Sequence, residues 1–499
     1  MPISEKRDYY LAVLLILSLI FVVCLVAFGN SKYASYLSGY FDFGSAIYTF
    51  YWHVHGLQYY TNPLQYLVFM NHISFFAILL VPVFALYQQP VTLFLIQDFA
   101  LAATIMLLYL VAADLLKSRR IAFAFAIALM VNPEIFGLGI FDFHFEAFTV
   151  FFYLLSFYFY MKRSFWKFAL SFAFLLSVME FDSLVGLSMV SALLVYEVFY
   201  NKGFGDKTVR RMLIAGLILG LVALTSYFAL EIYLPGTYTG GALQNVVPLQ
   251  QPISYFMAQF HSLTSQKVGN TIPTLLYAGT MGVLLLSMGF GVSSFLVPAV
   301  SILLYSPWWA EFLLTHSAAL FYPYNQYYSF ALGGGVASAL LGILRLTKER
   351  FLFNKNSWRE KKFEYFIATN VMLFGAGISL LVFMIAGPSL NLGGRGQISN
   401  YTAINYAVNL IPKNATVLTQ STIAPHLFKV HNLELSNGEH VVPEGLSYYW
   451  APPDYIILNK QLEYYSQIIN ATPFNQSNFS GEYSLYFNQS GILIYKRVR

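Results

Sequence analysis

Charge is scarce in this chain. Of 499 residues only 10% are Asp, Glu, Lys or Arg, while 58% are hydrophobic; soluble domains carry nearer a quarter charged. So little polar surface cannot cover that apolar content in water, which excludes an ordinary soluble fold. Cysteine is almost missing: Cys24 stands alone, so an intramolecular disulfide is excluded. No solenoid-type repeat and no low-complexity tract interrupts the chain, which excludes a repeat array. The formal net charge of +5 does not point to nucleic acid, because the basic residues are scattered among short loops instead of forming a patch.

What is abundant is apolar runs of about 20 residues, the length that crosses a hydrocarbon core as helix. They predict spans at roughly 10–28, 92–115, 121–140, 147–161, 166–181, 184–200, 212–233, 272–290, 292–306, 326–346 and 365–387. The expected fold class is therefore a polytopic α-helical membrane protein with about 11 transmembrane helices. The run 73–87, "ISFFAILLVPVFALY", is short and carries Pro82, and reads as an interfacial or re-entrant helix. The first run is long and lacks a small-x-small cleavage site, so it reads as an anchor and not a signal peptide.

Charge orients these spans. With the N-terminus inside, the cytoplasmic segments hold Lys6 and Arg7, then Lys117, Arg119 and Arg120, then Lys162, Arg163 and Lys167, then Lys202, Lys207, Arg210 and Arg211, and seven more between Arg345 and Lys362. The opposite loops before residue 400 hold only Lys32, Lys267 and Arg395. Positive loops stay inside, and this places the N-terminus in the cytoplasm of a multi-pass cell-membrane protein.

After about residue 388 the chain turns polar, with β-like runs "TVLTQ", "YIILN" and "SGILIYKR". The expected division is a transmembrane module, 1–388, with a large first outer loop at 29–91, and a small extracytoplasmic α/β domain at 389–499. The N-x-S/T sequons Asn400, Asn414, Asn470, Asn475, Asn478 and Asn488 all fall in this tail and none precedes it. Sequons are used on extracytoplasmic surface, so the tail reads as glycosylated, in an archaeal or eukaryotic secretory setting.

On this topology the acids and histidines gather on one side. The first outer loop holds Asp42 in "SGYFDFGSAIY", "WHVHG" at 52–56 and His72 in "MNHIS"; the next holds Asp142, His144 and Glu146 in "GIFDFHFEAF"; a tight turn, "SVMEFDSLVG", holds Glu180 and Asp182. All nine histidines fall on the outer side. Ionisable groups at membrane depth are costly and usually line a cavity or pathway. Activating a sugar hydroxyl needs a general base, commonly a carboxylate, and expelling a phosphate needs a divalent metal or basic donors. Asp42, Asp142, Glu180 and Asp182 could supply base and metal ligands, and His72 and His144 could bind phosphate. Each has a plainer reading: Asp42 as a helix cap, Glu180 and Asp182 as partners for turn backbone, Asp98 in "FLIQDFALA" as glue between spans, and the tyrosines of "YPYNQYYSF" as interfacial belt.

The large first loop with an Asp soon after span one resembles the GT-C superfamily of membrane glycosyltransferases. The strings "GYFDFGSAIY", "NHIS", "FDFHFEAF", "MEFDSLVG" and "YNQYYSF", with the tail strings "IPKNATVLTQSTIAPHL" and "PPDYIILN", resemble in order a family of uncharacterised predicted membrane proteins, domain of unknown function 2079, placed in that superfamily. Two positions depart from its pattern. The turn at Met179 to Asp182 lacks the lysine of a K-E-D motif, and Phe75 stands where a proline is usual. The resemblance implies that Asp42 is the catalytic carboxylate and that His72, Asp142, His144, Glu180 and Asp182 line the site. From residue chemistry, Asp42 and Asp142 are the expected ligands if a divalent metal such as Mg or Mn is used, His72, His144, Glu180 and Asp182 the expected groups for substrate and phosphate, and Tyr327 and Tyr328 the expected sugar-facing surface.

The expected function is transfer of a sugar from a polyprenyl-phosphate donor to a glycan or protein acceptor at the outer face, with membrane lipid and the lipid-linked sugar as partners and no nucleic acid. The competing readings are a transporter or channel, in which Asp98 relays protons or cations, and a non-catalytic surface assembly component.

Overall fold

The computed structural model describes residues 8–56, 67–70, 72–201, 203–233, 296–315, 329–348, 362–363, 365–373, 377, 400–430, 432–435, 453–462 and 482–498. The predicted span 272–290 and parts of its neighbours lie outside these. The chain forms two compact units, one from Met1–Val26, Leu95–Ala229 and Ala242–Leu390, the other from Ala27–Phe94, Leu230–Gly241 and Asn391–Arg499.

The first unit is helical. Its long helices are α1 (Tyr9–Ala34), α4 (Pro90–Leu116), α9 (Asp182–Val195, extended by a π-helical turn to Asn201) and α10 (Lys207–Tyr233). Among the described residues four helices are long and apolar enough to cross a membrane, and five if a bent pair counts as one span. Leu15, Ile16, Leu19, Ile20 and Val23 of α1, and Ile214, Leu217, Ile218, Leu221 and Val222 of α10, are exposed, an apolar surface suited to lipid and not to water. The bent pair is α5 (Arg119–Met130) and α6 (Pro133–Ile140), at 46°. The break is local chemistry: Asn132 caps α6 by accepting from the Glu134 N–H at 2.8 Å, and Pro133 takes the first helical position, where no N–H is needed. Further described helices of the unit are α7 (Glu146–Met161), α8 (Phe165–Val178), α11 (Pro298–Thr315) and α12 (Ser329–Lys348).

Three consecutive glycines let α12 approach its neighbours. A Cβ on Gly333 would stand 2.7 Å from the Tyr153 ring, and one on Gly334 would stand 2.6 Å from the Leu304 backbone oxygen. Small residues at helix crossings are the usual device for close packing in lipid, where no hydrophobic effect drives association. At the basic ends of the helices, acids tie the loops together. Asp8 pairs with Arg119 at 3.2 Å and accepts from Tyr109, Asp114 pairs with Lys117 and Lys162 at 2.9 Å each, and the buried Glu197 takes Arg163 at 2.8 Å, Tyr160 at 3.0 Å and Asn201 at 2.8 Å. The N-terminal segment and the loops near 117, 162 and 201, which charge alone assigns to one side, thus share one end of this unit.

The second unit joins the first loop to the C-terminal residues. After α1 the chain turns at Tyr36, whose φ of 54° is left-handed, passes through a π-helical turn Tyr40–Gly44, and enters α2 (Ser45–His55). A two-strand hairpin follows, β1 (Val68–Phe69) and β2 (His72–Ile73), then α3 (Phe75–Leu86), capped by Ser74 through the Ala77 N–H at 3.0 Å. At 12 residues α3 is about 18 Å long, too short for a hydrocarbon core of about 30 Å. The C-terminal part is α13 (Tyr401–Asn409) with a five-stranded mixed sheet of β3 (Thr416–Thr419), β4 (Asn432–Leu435), β5 (Tyr455–Asn459), β6 (Tyr483–Gln489) and β7 (Ile492–Arg497), in the order β4-β3-β5-β7-β6. β3 runs parallel to β4 and β5, while β7 is antiparallel to β5 and β6. β5 is buried along its whole length, as a strand covered on both faces must be.

Candidate functional site

The predicted residues divide between the two units. Asp42 and His72 belong to the second; Asp142, His144, Glu180 and Asp182 belong to the first. Tyr327 and Tyr328 lie outside the described residues.

Asp42 is half-buried in the π-helical turn Tyr40–Gly44. The N-cap of α2 is Gly44, without a side-chain cap bond, so the chain does not use Asp42 as the cap. Ser45 donates to the Asp42 carbonyl at 3.1 Å and the Gly44 N–H bonds the Gly39 carbonyl at 3.0 Å. Those bonds hold the turn, an insertion of the kind that often marks functional sites. His72 is half-buried in β2, paired with Phe69. His53 and His55 are occupied within α2: their Nδ1 atoms face the carbonyls of Thr49 at 2.7 Å and Tyr51 at 2.8 Å, and their rings stack on Phe69 and Tyr51 at 4.1 Å.

In the first unit the acids sit at helix starts. Glu146 opens α7 and Asp182 opens α9, positions where exposed N–H groups and the helix dipole favour negative charge. Asp182 is fully buried; its Oδ2 accepts from the Thr149 hydroxyl at 3.0 Å, and its Oδ1 has no hydrogen-bond partner among the described residues. Glu146 and Glu180 both lie within electrostatic reach of it. Within the turn, the Asp182 and Ser183 N–H groups and the Ser183 hydroxyl donate to the Met179 and Glu180 carbonyls.

Asp142 and His144 lie buried in the extended stretch between α6 and α7. Gln97 on α4 holds that stretch at both ends: its amide nitrogen donates to the Leu138 carbonyl at 2.8 Å and its oxygen accepts the His144 N–H at 2.5 Å. Gln97 and Thr149 are the two site residues that sequence reasoning misses. Gln97 stands beside Asp98, the more conspicuous charge, yet Gln97 makes the bonds between helices, while both Asp98 oxygens are buried without a hydrogen-bond partner among the described residues.

Among the described residues no group of three or more His, Cys, Asp or Glu is placed to hold a metal ion, and Asp42 and Asp142 fall in different units. Of the sequons, Asn414 and Asn488 are exposed, whereas the Asn400 amide nitrogen, where a glycan would attach, is buried and donates to the Ser490 carbonyl. Asn470, Asn475 and Asn478 lie outside the described residues.

ArnT from Cupriavidus metallidurans bound to undecaprenyl phosphate matches this fold with a TM-score of 0.50 at 12% identity, covering 97% of this chain and 98% of that one. The apo state of the same protein gives 0.49 at 12% identity, covering 96% and 98%. At that identity the likeness is one of fold. No curated protein matches the sequence significantly. A family model described as predicted membrane protein, DUF2079, matches residues 32–494. The chain belongs to that family.

Proposed function

We propose that this protein is a membrane glycosyltransferase moving a sugar from a polyprenyl phosphate to an acceptor on the outer face, with the N-terminus cytoplasmic and the C-terminal residues outside, glycosylated at the exposed Asn414 and Asn488. The observation that carries the reading is the run of family motifs, in order, on a fold matched over nearly its whole length by a protein bound to undecaprenyl phosphate.

Asp42 acts as general base. It takes the proton of the acceptor hydroxyl as that oxygen attacks the anomeric carbon, and the bond from that carbon to the polyprenyl phosphate breaks, the electron pair leaving with phosphate. One displacement inverts the configuration. His72, in the same unit as Asp42, stabilises the phosphate by hydrogen bonds; within the first unit, His144, Glu180 and Asp182 are the candidate groups for phosphate and sugar hydroxyls. No step is assigned to a metal, since the described donors do not form a metal-holding set.

The test is purified wild type beside Asp42→Asn, assayed for hydrolysis or transfer from polyprenyl-phosphate sugars with and without Mg²⁺ or Mn²⁺. Turnover lost in the variant alone supports the reading; full turnover in Asp42→Asn overturns it. A transport reading rests on one observation, the buried carboxyl of Asp98 within α4; uptake into proteoliposomes that disappears in Asp98→Asn would favour it.

A further inference from the structure

His426 lies in the 3-10 turn Ala424–Leu427 that follows β3. Its ring is sandwiched: Tyr36 stacks on one neighbour plane at 3.7 Å and 19°, Tyr33 at 4.2 Å and 18°. The Tyr36 hydroxyl donates to Asn405 Oδ1 at 2.6 Å, so the same tyrosine is pinned at its ring and at its tip. A non-glycine residue in the left-handed region is strained, and such a conformation persists where the surroundings over-determine it. Beyond Asp42, Tyr51 of α2 meets Phe428 edge-on at 5.3 Å, and the π-helical turn itself packs against the 3-10 turn. The segment carrying Asp42 is therefore anchored on both sides by residues 426–428. Burial pushes the His426 imidazole down to about 3, which keeps the ring a neutral stacking partner in ordinary conditions.

We propose that His426 is a positioning residue for the reaction at Asp42, acting through the stacked rings of Tyr33 and Tyr36 to fix the backbone of residues 36–44. The proposal rests on the glycosyltransferase reading for what Asp42 does; the clamp itself is independent of it. Misplacing a catalytic group by about 1 Å costs up to ~100-fold in rate, so a side chain that touches no substrate can set turnover.

The experiment uses the full-length protein with His426→Ala and His426→Phe, a flat ring that keeps the stack. Amide hydrogen exchange is read on peptides covering 36–44, including the Gly44 N–H, and on β5 and β7 as a control for folding; donor KM and kcat are read separately. In His426→Ala, exchange across 36–44 rises at least about tenfold with β5 and β7 still protected, and kcat falls roughly 10- to 100-fold at unchanged KM. His426→Phe restores both. Should β5 and β7 lose protection in His426→Ala, Tyr36→Leu, which removes one face of the stack from outside the sheet, is read the same way. Unchanged exchange across 36–44, unchanged kcat despite faster exchange, or no rescue by phenylalanine each overturns the proposal. If Asp42→Asn keeps full turnover, the catalytic reading fails and the positioning role with it, while the exchange data still decide whether His426 holds the turn.

Discussion

Gln97 accepts the His144 N–H at 2.5 Å across 47 residues of chain, while its amide nitrogen holds the Leu138 carbonyl. A single amide on α4 thus sets the path of the chain from α6 to α7. Gln97→Leu keeps much of the shape and leaves both backbone groups unpaired, each worth about 1–3 kcal/mol when buried. Reversible unfolding in mixed micelles is expected to show a loss of about 2–6 kcal/mol for the two groups together. An unshifted midpoint for Gln97→Leu would remove this bond from the account.

The pair Arg163 and Glu197 predicts a repairable defect. Glu197 is fully buried and Arg163 about a third exposed. Removing the cation strands a buried carboxylate, which costs about 3–5 kcal/mol in comparable pairs. Arg163→Ala is therefore strongly destabilising, and adding Glu197→Gln recovers most of the loss. The double-mutant cycle measures the coupling; additive effects would contradict it.

Thr149 reports on Asp182 through activity. Thr149→Val removes the hydroxyl that donates to Oδ2 at 3.0 Å with little change of volume. A hydrogen bond worth about 1 kcal/mol corresponds to roughly a fivefold fall in turnover. Thr149→Ser should keep wild-type rates, and a valine variant as fast as wild type would place Asp182 outside the site.

The buried His426 makes the second unit sensitive to acid. Its ordinary value is 6.5 and its folded value about 3, so between those pH values the unfolded chain binds the proton and the folded one does not. Stability then rises with pH across that window, is complete above about 6.5, and is lost as pH falls, at no more than about 1.4 kcal/mol per pH unit. Exchange protection of residues 36–44 at pH 7 and pH 5 measures it. His426→Phe should flatten the difference, and a slope that survives the substitution must come from another group.

Much of this architecture is legible in local patterns, since lipid imposes them locally. The apolar runs that became Tyr9–Ala34 and Pro90–Leu116 stand out by length, and "TVLTQ", "YIILN" and "SGILIYKR" contain β3, β5 and β7. The break at Asn132 and Pro133 is harder to see, because the run 121–140 reads as one span; a cap residue followed by proline was its only signal. β4 and β6 escape notice because their partners, not their own composition, make them strands. Asp42 is found through a motif. Gln97, Thr149 and the stacking role of His426 are not, since each acts on a residue distant in sequence and an uncharged amide or a lone ring carries no pattern of its own.

The second unit is built from stretches far apart in the chain, and this orders its biosynthesis. Tyr36 and Asn405, which share a hydrogen bond, are 369 residues apart. At about 5–20 residues per second, roughly 20–70 s of translation separate them. For that interval Tyr33 and Tyr36 have left the ribosome without the His426 ring they will stack against, and Tyr51 without Phe428. The first loop is made early and finished last: its aromatic face is sheltered only when the tail containing His426 and Phe428 is synthesised and delivered to it.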